Sequence, residues 1–192
     1  MKSRIERTAI EDVWVIETDF VFDERGFFVE SYHADRFREL GIETAFVQDN
    51  HSRSRRGVLR GLHYQDLTAP QAKLVRCARG AVYDVAVDLR VGSATFGKWV
   101  GVELSDANMR QILVPVGFAH GFVVLSEVAD LHYKCSSYYA PAAEGSVAWD
   151  DPDLAIRWPV DEPILSTRDR QAQSLRQYTA NPAFTFGAMT AR

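Results

Sequence analysis

The run VYDVAVDL, at positions 82–89, alternates two kinds of side chain along its length. In an extended chain Tyr83, Val85, Val87 and Leu89 fall on one face, and Asp84 and Asp88 fall on the other. That period of two marks a β-strand. Six more short segments rich in Val, Leu, Tyr and Phe surround it, at 58–65, 73–77, 99–104, 111–114, 121–125 and 130–136. Turn-like ARG (78–80), VGS (91–93), SDAN (105–108) and PVG (115–117) separate them. Such spacing predicts an antiparallel sandwich or barrel. Helix signals are sparse: 35–40, stopping at Gly41, and 170–178 are each expected to form one short helix.

With 192 residues, 46% hydrophobic and 25% charged, the chain can build a substantial core, and it shows no repeat, linker or low-complexity tract. One domain over 1–192 is expected. No apolar run reaches the roughly 20 residues a bilayer span needs, and the start MKSRIERTAIED lacks a signal peptide's apolar centre, so no membrane partner and a cytoplasmic location are expected. Cys77 and Cys135 are too few and too far apart for a disulfide framework and are expected to be buried thiols. A net charge of −4 disfavours nucleic acid as a partner. Arg53, Arg55, Arg56 and Arg60 nevertheless crowd into eight residues, which fits either a solvated basic loop or a site for phosphate oxygens.

The stretch VLRGLHYQ, 58–65, sets Arg60 and His63 inside an otherwise apolar strand. Their odd spacing would send them to opposite faces. Gly61 lies between them, and glycine within a strand often marks a bulge, which would bring both side chains to one side. A small barrel either fills its interior or keeps one ligand cavity, so inward polar groups need a partner or a ligand. Lys73 on the next strand and His120 in GFAHGF (117–122) are candidates for the same cavity. A metal would prefer H-x-H where HYQ supplies one imidazole, with only Asp66 close behind, so no metal is expected.

The runs DERGFFVE (23–30), QDN (48–50), RGLHYQ (60–65), Lys73, VPVGFAHGF (114–122), YKCSSYYAP (133–141) and WDDPDLAIRWP (149–159) together resemble the dTDP-4-dehydrorhamnose 3,5-epimerase family. The resemblance extends from about residue 20 to 170. It implies an all-β cupin or jelly-roll barrel with a few short peripheral helices, and an isomerase without a cofactor. The implied substrate is a dTDP-linked keto-deoxysugar whose C4 ketone flanks both epimerised carbons, C3 and C5. Removing a proton from either gives an enolate, which calls for a base, an oxyanion stabiliser and an acid on the far side.

By that resemblance His63 is the base, and free imidazole titrates near ~6.5, suited to proton abstraction at neutral pH. Asp169, in LSTRD (165–169), is the carboxylate that orients it, Lys73 the cation at the C4 oxygen, and Tyr133 the opposite-face acid. Arg60 and Arg25 would hold the diphosphate, with Arg168 where the family commonly has lysine. Tyr139 would stack on thymine, and Gln48, Asn50, Glu30, His120 and Glu144 fall on substrate-contacting positions. Arg53, Arg55 and Arg56 find no such match and read as a solvated loop. The resemblance also implies a homodimer in which N-terminal residues such as Arg25 and Glu30 serve the neighbouring subunit.

Competing readings stand beside these. Asp169 could instead cap a helix before RQAQ (170–173), and Tyr133 and Tyr139 could be core aromatics. At the level of function the alternatives are an epimerase acting at one carbon only, a sugar-nucleotide binding module without chemistry, and, more weakly, an RNA-binding module built on the arginines of 53–60.

Overall fold

The computed structural model describes residues 1–187. In chain order the strands are β1 (Ser3–Arg7), β2 (Trp14–Thr18), β3 (Val21–Asp23), β4 (Gly26–Phe28), β5 (Gln48–Arg55), β6 (Leu59–Gln65), β7 (Lys73–Arg79), β8 (Ala81–Asp88), β9 (Trp99–Ser105), β10 (Gln111–Val114), β11 (Phe118–Val124), β12 (Val128–Cys135) and β13 (Glu144–Ser146). The helices are short: α1 (Ala34–Glu39), α2 (Thr167–Arg170) and α3 (Leu175–Ala180). One sheet runs β1-β2-β10-β7-β12-β5 and a second β13-β6-β11-β8-β9, with antiparallel pairing throughout, while β3 and β4 form a separate hairpin. All seven strands expected from the sequence are present, in an all-β antiparallel barrel.

The two sheets close on one apolar core. Val75, Cys77, Ile112 and Leu131 from the six-stranded sheet meet Val82, Ala86, Leu104, Phe118 and Phe122 from the five-stranded one. Each Val, Ile, Leu or Phe side chain among them contributes about 1.5–3 kcal/mol through removal from water. The outer face of the five-stranded sheet, carrying Val85, Val87 and Leu89, is covered by Leu154, Leu175, Tyr178 and Phe184. β8 is therefore buried on both faces, and its aspartates are fully buried too. Asp88 accepts hydrogen bonds from Arg90, Ser93 and Thr95, and Asp84 faces the interior beside His120. Cys77 and Cys135 are free and buried, and burial pushes the Cys77 thiol up to about 12.

Two expectations are corrected. Arg53 and Arg55 do not lie in a loop but on β5, the edge strand paired with β12; only Arg56 follows it into a turn. Arg53 forms a two-pronged hydrogen bond with Asp130 across that pair. The helix expected over 170–178 is broken into α2 and α3, because Ser166 and Ser174 each cap a separate start. Ser174 and Gln177 complete a reciprocal capping box, which fixes the start of α3 five residues later than expected.

Candidate active site

On β6 the expected bulge is present. His63 stands opposite His120 of β11, whereas Arg60 stands opposite Phe122, so three residues on one strand span two on the other. Gly61 makes this possible: its φ is +136°, and a Cβ there would lie 2.5 Å from the Cα of Gly121. With the extra residue absorbed, Leu62 and Tyr64 pack outward against the second core cluster. Arg60 and His63 both turn into the space between the sheets.

That space is a cavity of about 780 Å³ including its open mouth. Its five-stranded wall carries Arg60, His63, His120 and Phe122, and its six-stranded wall carries Ser52, Lys73 and Tyr133. Ser166, Arg168 and Asp169, from the start of α2, close one side. Arg60, His63, Lys73, His120, Tyr133, Arg168 and Asp169 are thus brought together.

His63 Nε2 lies 2.6 Å from Asp169 Oδ1, and its other ring nitrogen has no protein partner among the described residues. Asp169 is buried, and Ser166 Oγ donates to its second oxygen at 2.8 Å. Burial alone would raise this carboxyl, but the hydrogen bonds from His63 and Ser166 hold it below its ordinary value. Asp169 does not cap the helix. Ser166 is the N-cap and accepts from the Asp169 backbone N–H, which leaves the Asp169 carboxylate for the imidazole.

Burial pushes the Lys73 ammonium down, partly opposed by Cys135, Glu144 and Asp84. No carboxylate lies within 4 Å of it among the described residues. Such a cation is poised to gain from any negative charge that develops beside it. Burial also raises the Tyr133 phenol, which keeps it protonated and able to donate. A second imidazole–carboxylate pair sits deeper: His120 Nε2 is 2.9 Å from both oxygens of Asp84, whose carboxyl burial pushes upward against the pull of His120 and Lys73.

The remaining expected site residues lie around this centre. Glu144 accepts from the Tyr139 hydroxyl at 2.7 Å and pairs with Arg168, linking both to the cavity. Gln48 accepts from the Tyr139 backbone N–H and donates to Asn50, which in turn donates to Cys135 Sγ. Arg25 and Glu30 are placed elsewhere. Arg25, on the β3–β4 turn, is paired with Asp23, Glu30 is paired with Arg36, and neither lines the cavity. Sequence reasoning missed Ser52, Asp84, Phe122 and Ser166. Asp84 was legible as the polar face of β8 and Ser166 as a cap three residues before Asp169; Ser52 carried no signal. Among the described residues no group of three or more His, Cys, Asp or Glu side chains is placed to hold a metal ion.

The family model described as dTDP-4-dehydrorhamnose 3,5-epimerase matches residues 7–177. A protein of Salmonella typhimurium with that name is 54% identical over 173 residues, 89% of this chain and 94% of the relative. The crystal structure of dTDP-6-deoxy-D-glucose-3,5-epimerase from Legionella pneumophila, in complex with dTDP-4-keto-L-rhamnose, superposes with a TM-score of 0.91 at 51% identity, covering 95% of this chain and 97% of that one. A Streptomyces niveus relative named dTDP-4-dehydrorhamnose 3-epimerase is 46% identical over 91% of this chain and 84% of its own length.

Proposed function

The chain belongs to the dTDP-4-dehydrorhamnose 3,5-epimerase family, and on that premise we propose that it is an isomerase inverting C3 and C5 of dTDP-4-keto-6-deoxy-D-glucose to give dTDP-4-keto-L-rhamnose. The observation that carries the reading is the His63–Asp169 pair facing Tyr133 and Lys73 across one cavity. His63 takes the proton from the carbon beside the ketone, and the electron pair moves onto the C4 oxygen as an enolate. Asp169 fixes the ring tautomer and favours the imidazolium that results. Lys73 stabilises the enolate oxygen. Tyr133, reaching in from the other sheet, returns a proton to the opposite face, and the ketone re-forms. Each proton-transfer role contributes about 10²–10⁴ in rate.

Arg60 and Arg168 hold the diphosphate, Tyr139 stacks on thymine, and Gln48, Asn50, His120 and Glu144 position the sugar nucleotide. No cofactor enters these steps. The chain acts as one domain in a cytoplasmic homodimer whose N-terminal strands serve the partner. The β3–β4 hairpin supports this, since Phe20, Val21, Phe22, Phe27 and Phe28 are all exposed around it and Arg25 stands at its turn. Docked on a second copy, that surface would leave water and carry Arg25 and Glu30 toward the other cavity.

Turnover of the keto-sugar nucleotide in deuterium oxide tests the reading: one deuterium is expected at each of C3 and C5, and label at neither carbon rejects it. The Streptomyces niveus relative favours a second reading, epimerisation at C3 alone, which would label that carbon only.

A further inference from the structure

β5 presents four polar side chains to the interior, Gln48, Asn50, Ser52 and Ser54, and three of them are satisfied within the protein. Gln48 bonds the Tyr139 backbone and Asn50, Asn50 bonds Cys135, and Ser54 Oγ accepts from Arg60 Nε at 3.1 Å. Ser52 differs: its Oγ is buried, lines the catalytic cavity and has no hydrogen-bond partner among the described residues. A buried hydroxyl without a partner costs about 1–3 kcal/mol, so a ligand oxygen that satisfies it gains correspondingly.

Its position indicates which oxygen. On one side along β5 stands Ser54, the anchor of Arg60; on the other stands Asn50, cross-strand neighbour of Tyr133. Ser52 thus sits between Arg60, assigned to the diphosphate, and Tyr133, assigned to proton transfer. In the sugar, the carbon between the diphosphate-bearing C1 and the reacting C3 is C2, whose hydroxyl takes no part in the chemistry. We propose that Ser52 is a specificity residue whose hydroxyl bonds the C2 hydroxyl of the dTDP-sugar, an assignment that rests on the sugar-nucleotide reading above.

Equilibrium binding to Ser52→Ala and to the unaltered protein tests this without turnover, using dTDP, dTDP-glucose and dTDP-2-deoxyglucose as probes. The variant is expected to bind dTDP-glucose roughly tenfold more weakly, the factor for one lost hydrogen bond. Affinity for dTDP and for the 2-deoxy sugar is expected to be unchanged, and the unliganded variant to melt no lower than the parent. Equal affinity for dTDP-glucose in the two proteins, or an equal loss with the 2-deoxy probe, overturns the proposal. Failure of the unaltered protein to bind dTDP at all would instead overturn the sugar-nucleotide reading and the Ser52 assignment with it.

Discussion

His63 and His120 stand directly opposite each other on neighbouring strands, and each imidazole is held by its own buried carboxylate, Asp169 for one and Asp84 for the other. The two pairs differ in access: Asp169 comes from a capped helix at the cavity's side, whereas Asp84 lies on β8, closed off from solvent.

Asp169→Asn keeps the shape of the side chain but removes the charge that favours imidazolium. A fall in kcat of about 10²–10⁴ is expected, with dTDP affinity retained. Steady-state kinetics beside calorimetric binding separates the two effects, and an unchanged kcat would contradict the role given to the pair.

The same carboxyl sets an acid limit. Because its folded pKa is held below the ordinary 3.8, its contribution to stability is complete above that value and is lost as pH falls through the lower folded one. Urea unfolding as a function of pH should show the gap between the parent and Asp169→Asn closing only at strongly acid pH.

Tyr133→Phe removes the phenol proposed as the acid and leaves the imidazole proposed as the base. Loss of substrate C–H label to solvent should persist, while formation of inverted product falls by about 10²–10⁴. Nuclear magnetic resonance of the sugar protons follows both events in one sample.

Lys73→Met exchanges a buried ammonium for an apolar chain of similar length. A gain in stability is expected together with a near-complete loss of turnover. Since burial depresses the folded pKa of Lys73 below 10.5, the variant's advantage is full below that depressed value and fades as pH rises to 10.5. Thermal melts at neutral and alkaline pH measure it.

Gly61→Ala forces a Cβ against the Cα of Gly121 in a backbone conformation that side chains avoid. A loss of about 3 kcal/mol in urea unfolding is expected, with activity falling as Arg60 and His63 move.

How much of this could be read from the chain depends on where its polar residues point. β8 was legible because its outer face is apolar throughout, and the β6 bulge because a glycine separated two side chains that would otherwise diverge. β5, QDNHSRSR, was not legible as a strand. Its inner face is polar because it lines a cavity, and its outer face is polar because Arg53 and His51 both meet Asp130, so no hydrophobic alternation survives. β1 and the β3–β4 hairpin escaped for a related reason: SRIER is an edge strand with little buried surface, and VFD and GFF are too short to show a period. The competing reading of Asp169 as a helix cap fails because Ser166, three residues earlier, is the N-cap. The family resemblance supplied its catalytic role, which no local pattern held.

His63 and Tyr133, proposed as base and acid, hang from facing walls of one cavity. The division of the sandwich into two walls therefore sets the imidazole and the phenol on opposite sides of any guest, so that neither group alone can reach both faces of a ring held between them.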